Sequence, residues 1–198
     1  MALLSVIILS PDGYATIQSL LRCLQAQTIR HDLELIVVIP AGTPDRPDAI
    51  GIDDFAAVRK IEICDMNSTA RARAAGIRIS TSPVIVLTED HSYPEPEWAA
   101  SLVRAHKGDW AVVGPAVKNG NPGSILSWAN FLIEYGEWLD PAPGGMANHL
   151  PGHNSSYKRE FLLGYGSDLD SRLEAESLLH WDLKSKGHRL CLEPSAQT

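Results

Sequence analysis

Two rhythms of apolar and polar positions run along this chain. Leu4–Leu9, Leu35–Ile39, Pro83–Leu87 and Ala111–Val117 are short, nearly continuous apolar runs rich in Val, Ile and Leu. Such runs predict strands covered on both faces, as in a parallel sheet. Val58–Ile63 alternates apolar with polar residues and predicts a strand nearer an edge. Between the strands the period changes. Thr16–Gln25 is helical in pattern, and Ser68 or Thr69 caps a helix through about Ile79, weakened in its middle by Gly76. Pro96 opens a helix to about His106, with Glu97 in its first turn. Ser124 caps an amphipathic segment to about Tyr135. Leu173–Lys186 reads as the last long helix, ended by Gly187, and Arg189–Leu192 as a final short strand. Trp138–Pro151 holds three prolines and two adjacent glycines and reads as a loop. Alternating strands and helices predict a layered α/β domain with a mostly parallel sheet.

Length changes this picture little: 198 residues suit one domain with a sizeable core. Charge narrows it. A formal net charge of -7 argues against a nucleic-acid partner held through its phosphates, though not against a small anion met by local basic residues. Cys23, Cys64 and Cys191 are far apart and lack metal-ligand spacing, so reduced thiols in a cytoplasmic protein are expected. The apolar start lacks a basic leader region and breaks at Ser10-Pro11-Asp12-Gly13, as a first buried strand would. No apolar run reaches transmembrane length. The chain reads as cut on its C-terminal side, since no closing element is expected after Arg189–Leu192.

In layered α/β sheets, ligands gather where the carboxyl ends of the strands open, so the residues just beyond the strands matter most. After the first strand, Ser10-Pro11-Asp12-Gly13-Tyr14 lacks the GxGxxG of dinucleotide-binding folds. A plain turn with Asp12 as cap and a nucleotide contact both remain open there. After the fourth strand, Glu89-Asp90-His91 places two carboxylates and an imidazole at the mouth of a buried strand. A divalent cation bound to a diphosphate uses such ligands, and side-chain alternation lets Glu89 and His91 point together. Gly152-His153-Asn154 begins a small, polar stretch that a ligand could approach closely, or that simply caps the next helix. Glu174 and Glu176 fall in the first turn of the last long helix, where dipole compensation is their ordinary role. Two residues apart on a helix, they point about 200° apart, so only one faces a cleft, and Glu176 lies nearer the apolar stripe. Arg71, Arg73, Arg78, Lys158 and Arg159 read as mostly surface, with one or two free to face a diphosphate.

The segments SVIILSPDG, ARARAAGIRISTSPVIVLTEDHSYPEPEW, LPGHNSSYKREFL and EAESLLHWDLKSKGHRLCLEP resemble, in order and spacing, the pattern of family 2 glycosyltransferases. That resemblance implies the GT-A fold, three α/β/α layers around a central mixed sheet. It implies a nucleotide-binding half over residues 1–117 and an acceptor half over 118–198 of one domain. It further implies a nucleotide-sugar donor, an acceptor that is a carbohydrate, a lipid-linked or another hydroxyl compound, and a Mn²⁺ or Mg²⁺ ion. Peripheral docking at the inner face of a membrane stays open. Ser10, Pro11 and Asp12 match the segment beside the nucleotide base, and Arg71 the arginine near the donor. Glu89-Asp90-His91 matches the DxD-type metal and diphosphate motif. Gly152-His153-Asn154 matches the block lining donor sugar and acceptor, and Glu176 the general base of an inverting transfer. Two departures stand out. Val38-Ile39-Pro40-Ala41-Gly42 replaces the usual Asp-Asp-Gly, and the DxD motif reads Glu-x-His. Both keep a second reading alive: a catalytically degenerate nucleotide- or partner-binding module of the same fold. A nucleotidyltransferase would want a glycine-rich basic loop after the first strand, which Pro11-Asp12-Gly13 does not supply.

Overall fold

The structure is a computed structural model that describes residues 1–44, 51 and 54–198. Strands β1 (Leu4–Leu9), β2 (Leu33–Pro40), β3 (Ala57–Ile63), β4 (Val84–Thr88), β5 (Val112–Ala116), β6 (Gly145–Ala147), β7 (Ser156–Lys158) and β8 (Leu190–Gln197) form one sheet. Its order is β3-β2-β1-β4-β7-β5-β8-β6. The β3-β2-β1-β4 half is parallel, as continuous apolar runs require, and β3 is the edge strand its alternation predicts. β7 runs antiparallel between β4 and β5, β5 pairs in parallel with β8, and β6 closes the far edge antiparallel to β8.

The described residues also form helices α1 (Gln18–Gln25), α2 (Thr69–Ile79), α3 (Trp98–Ala105), α4 (Ile125–Tyr135), α5 (Arg159–Leu163), α6 (Leu169–Arg172) and α7 (Glu176–Ser185). The strands alternate their side chains between two cores. Leu4, Val6 and Ile8 pack with Leu20, Leu24, Trp98 and Leu102 on one face. Ile7, Ile36 and Val38 pack with Ala70, Ala74, Ile77, Leu179 and Leu183 on the other. This is the three-layer α/β/α arrangement that the family resemblance implies.

Gly76 has a reason to interrupt α2. A Cβ there would lie 2.7 Å from Ile7 Cγ2, so the missing side chain lets the helix settle onto β1. Gly76→Ala is expected to lose about 1–2 kcal/mol, overpacking outweighing the gain in helix propensity. A urea midpoint equal to or above the parent's would show that Ile7 yields at no cost.

Three expectations need correction. Trp138–Pro151 is not all loop, since Gly145–Ala147 forms β6. Ser156–Lys158 is a central strand rather than part of a polar loop, its small Ser156 fully buried between β4 and β5. The segment Leu173–Lys186 is not one helix. Leu173 closes α6 through bonds from its N–H to the Leu169 and Asp170 carbonyls, and Ala175 turns extended (φ -146°, ψ 115°) as the residue before α7. Glu174 therefore lies outside the helix that Glu176 begins, and the two do not share a helical wheel.

Candidate active site

β1 and β4 are parallel neighbours, with Ile8 opposite Thr88, so the segments after them leave the same edge of the sheet side by side. The loop Ser10–Asp12 and the segment Glu89–His91 thus share that edge. Within the first loop, Ser10 is buried and spends its hydroxyl on the Gly13 carbonyl, near Thr16, while Pro11 and Asp12 are exposed. The loop is thereby shaped by Ser10 and offers Pro11 and Asp12 outward.

Beside Glu89 opens a cleft of about 600 Å³. Its walls include Glu89, His91, Ser92, Val117, Asn119, Phe131, Tyr135, His153, Asn154 and Thr198. Asn154 explains how the Gly152–Asn154 loop reaches β4. Its backbone is left-handed (φ 62°), a conformation asparagine tolerates better than most residues. Its N–H bonds the Leu87 carbonyl at 2.7 Å, and its Oδ1 accepts from Thr88 at 2.6 Å and Ser92 at 2.9 Å. With the loop pinned there, His153 Nδ1 lies 2.7 Å from Glu89 Oε1 and 3.2 Å from an Arg73 guanidinium nitrogen.

Arg73 projects from α2 with only 7% of its surface exposed and forms a close ion pair with Glu176 at the start of α7. Its Nε is buried without a partner among the described residues. Gly152 makes room for the pair: a Cβ there would stand 2.8 Å from the Glu176 carboxyl carbon. Glu89, His153, Arg73 and Glu176 thus form one continuous chain of polar contacts drawn from β4, the Gly152–Asn154 loop, α2 and α7. Burial opposes the ionisation of Glu89. The hydrogen bond and charge of His153, with His91 and Arg73 beyond, outweigh it and hold the carboxyl below its ordinary value. At the rim, His91 is exposed between two carboxylates, its Nδ1 2.9 Å from Asp90 and its Nε2 3.2 Å from Glu89. The Asp90 hydrogen bond, against partial burial, and the charges of Glu89 and Asp90 push the imidazole's pKa up.

Behind the chain, His180 does not pair with Glu176 one turn earlier. It turns inward, with Nε2 3.0 Å from the Tyr157 hydroxyl, and burial pushes its pKa down to about 4. A neutral, buried His180 fastens α7 to β7 and so fixes the helix that carries Glu176.

The predicted residues separate into three groups, of which Ser10, Pro11 and Asp12 follow β1 beside the end of β4 but are not among the described lining of the cleft. Glu89, His91, His153, Asn154 and Glu176 meet at the cleft or its polar chain, with Gly152 and Asp90 adjoining. Arg71 is exposed at the start of α2, where its backbone N–H meets the Ser68 cap. The arginine that enters the site is Arg73. A signal was present: Arg73 shares a helix face with Ala70 and Ile77, three and four residues away, and a charge on an apolar stripe needs a buried partner.

A divalent cation on a diphosphate needs hard oxygen donors, with nitrogen acceptable to Mn²⁺. Glu89, Asp90 and His91 supply that chemistry within one segment after β4, the two carboxylates half-buried and the imidazole exposed. Among the described residues, no three His, Cys, Asp or Glu side chains converge as a complete metal site. The fit is therefore to an ion with one or two protein ligands, the others coming from phosphate oxygens and water, as is common for ions bridged to nucleotides.

Known proteins share this chain's fold and sequence pattern. A Haloferax volcanii glucosyl-dolichyl phosphate glucuronosyltransferase is 25% identical over 169 residues, 79% of this chain and 52% of that protein. The chain thus spans about half the length of the curated relative it matches. Among solved structures, a Pyrobaculum calidifontis mannosyltransferase in complex with GDP-Man and Mn²⁺ superposes with a TM-score of 0.64 at 20% identity, over 98% of this chain and 55% of that one. S. aureus TarS does so with a TM-score of 0.65 at 14% identity, over 97% of this chain and 35% of that one. These likenesses establish a GT-A fold. The family model for glycosyl transferase family 2 matches residues 5–165, most of the chain, and to that family the chain belongs.

Proposed function

We propose that this chain transfers a sugar from a nucleotide-sugar donor to an acceptor hydroxyl, with inversion at the anomeric carbon. The observation that carries the reading is the polar chain Glu89–His153–Arg73–Glu176 at the mouth of β4, beside a cleft large enough for a sugar. The donor half is residues 1–117 and the acceptor half 118–198.

Glu176 is the base. The acceptor oxygen attacks the anomeric carbon, its proton passes to the Glu176 carboxylate, and the bond from that carbon to the diphosphate oxygen breaks, the electron pair leaving with the diphosphate. Arg73 supplies a permanently charged fork. Bound diphosphate oxygens give it a second anionic partner, and the base is then held less tightly than in the free protein. Ser10, Pro11 and Asp12 border the nucleotide, and Asn154 holds His153 against Glu89. A Mn²⁺ or Mg²⁺ ion held by one or two of Glu89, Asp90 and His91 would neutralise charge on the leaving diphosphate. The Pyrobaculum neighbour, solved with GDP-Man and Mn²⁺, supports that choice of donor class and ion. The Haloferax relative's name joins a sugar to a dolichyl phosphate, which keeps lipid-linked acceptors in view. Among the described residues no helix is long and apolar enough to cross a membrane.

Donor turnover tests the reading. A panel of nucleotide sugars is incubated with the protein and Mn²⁺, and release of nucleoside diphosphate is followed with and without acceptors. No turnover of any donor, with nucleotide binding intact, would favour a catalytically silent module of the same fold; the missing acidic pair at Val38–Gly42 gives that alternative its footing. Nucleoside diphosphate affinity should rise by about tenfold or more, ~1.4 kcal/mol, when Mn²⁺ replaces EDTA, and by less with Mg²⁺. Equal affinity with EDTA and Mn²⁺ would remove the ion from the mechanism.

A further inference from the structure

The cleft beside Glu89 continues along α4 into a second lobe of about 410 Å³, lined by Asn119, Asn121, Ser124, Ser127, Asn130 and Glu134 among others. The two lobes share Asn119, Asn121, Ser127, Phe131 and Tyr135. We infer that this two-lobed cleft takes an uncharged pyranose as the acceptor group, and not a phosphate.

Charge comes first. Glu89 and Glu95 line the first lobe and Glu134 the second. Among the described lining residues Lys118 is the one lysine or arginine, and it is already 3.3 Å from Glu95. Arg73, the fork assigned to the donor diphosphate, is not among the residues lining either lobe. A phosphate entering the second lobe would meet Glu134 with no lysine or arginine among that lobe's described lining residues to compensate it, which costs desolvation and repulsion together.

The remaining lining is what a sugar needs. Amides and hydroxyls both donate and accept, as sugar hydroxyls do. Asn119 illustrates the supply. Its Oδ1 is taken by the Asn121 N–H and the Ser127 hydroxyl, each at 2.9 Å, which fixes the amide's orientation. Its Nδ2 is left buried without a partner among the described residues, an unusual cost for an amide unless something completes it. Phe131 and Tyr135, one helical turn apart on α4, both line the cleft with ring centroids 5.8 Å apart and planes tilted by 36°, and Tyr93 lines the first lobe as well. Such rings cover the apolar C–H face of a pyranose while the amides meet its hydroxyls.

This occupant rests on the transferase reading, and the two can fail separately. Saturation-transfer NMR on the full chain uses uncharged methyl glycosides of glucose, mannose and galactose as one set of probes, and citronellyl phosphate and inorganic phosphate as the other. Each set is run with and without saturating nucleoside diphosphate and Mn²⁺. At least one methyl glycoside is expected to bind saturably. Asn121→Ala, on an exposed residue, and Asn119→Asp, which keeps the Oδ1 bonds but removes the N–H donors, should each weaken it roughly three- to tenfold, the loss of one neutral hydrogen bond. No glycoside binding, glycoside affinities unmoved by both variants, or displacement of a bound glycoside by citronellyl phosphate would overturn the inference. Glycoside binding without any nucleotide binding would uphold the saccharide cleft and sink the transferase reading. Nucleotide binding without glycoside binding would do the reverse.

Discussion

Glu176→Gln should lower turnover roughly 100- to 10,000-fold while nucleoside diphosphate affinity stays nearly level, because the amide keeps the side chain's size and cannot take a proton. The amide still accepts a hydrogen bond from Arg73, so the side chain keeps a partner where it stands. Glu174→Gln is the matched control. Glu174 is exposed and precedes α7, beyond the extended Ala175, so its replacement should leave transfer close to the parent rate. Steady-state kinetics with the best donor of the panel, paired with nucleotide titration, reads both. A steep loss in Glu174→Gln with little in Glu176→Gln would transfer the role of base. If neither variant slowed a demonstrated transfer, no general base would act from this part of the chain.

The choice of Glu176 over Glu174 came from the sequence by a route that the structure replaces. Two glutamates on one helical wheel would be separated by angle. Here they are separated by a break in the helix, and Glu176 enters the site because α7 starts on it while Gly152 leaves space for its carboxyl. Periodicity could not show the break, since Leu173, Leu179 and Leu183 continue the apolar stripe across it.

The parallel half of the sheet was plainest in the sequence, because a strand covered on both faces is nearly continuously apolar: Leu4–Leu9 is β1 as expected, residue for residue, its one polar residue Ser5 bonded to Glu34. β6 and β7 were invisible for the same physical reason in reverse. Each has three residues, too few for a period, and β7 begins with a serine held by the Val113 carbonyl rather than by apolar packing. Within the site, Glu89–His91 was legible because the end of a buried strand such as β4 positions the residues next in the chain. The contacts between elements distant in sequence were not. Arg73 meets Glu176 over 103 residues of chain, and only the fold brings α2 and α7 together.

Arg73→Met should be the most destabilising single change in the site. Methionine fills much of the arginine stem's volume, so the loss falls on charge rather than packing. The parent guanidinium sits where 7% of its residue surface is exposed, between Glu176 and His153. Removing it leaves the Glu176 carboxylate without its cation in a half-buried setting, and withdraws one of the positive charges that favour ionised Glu89. Breaking a buried pair by deleting one member costs about 3–5 kcal/mol, and the partial exposure of Glu176 places this case near ~3. For a chain of this size that is a fall of roughly 6–12 °C in melting temperature. Thermal or urea unfolding of the free protein measures it without any need for activity. The double variant Arg73→Met with Glu176→Gln separates the explanations. If the cost arises from an abandoned carboxylate, neutralising Glu176 recovers about 1 kcal/mol or more relative to the single change, and the two effects are not additive. Strict additivity would mean that Arg73 serves α2 by packing alone, with no share in holding the base.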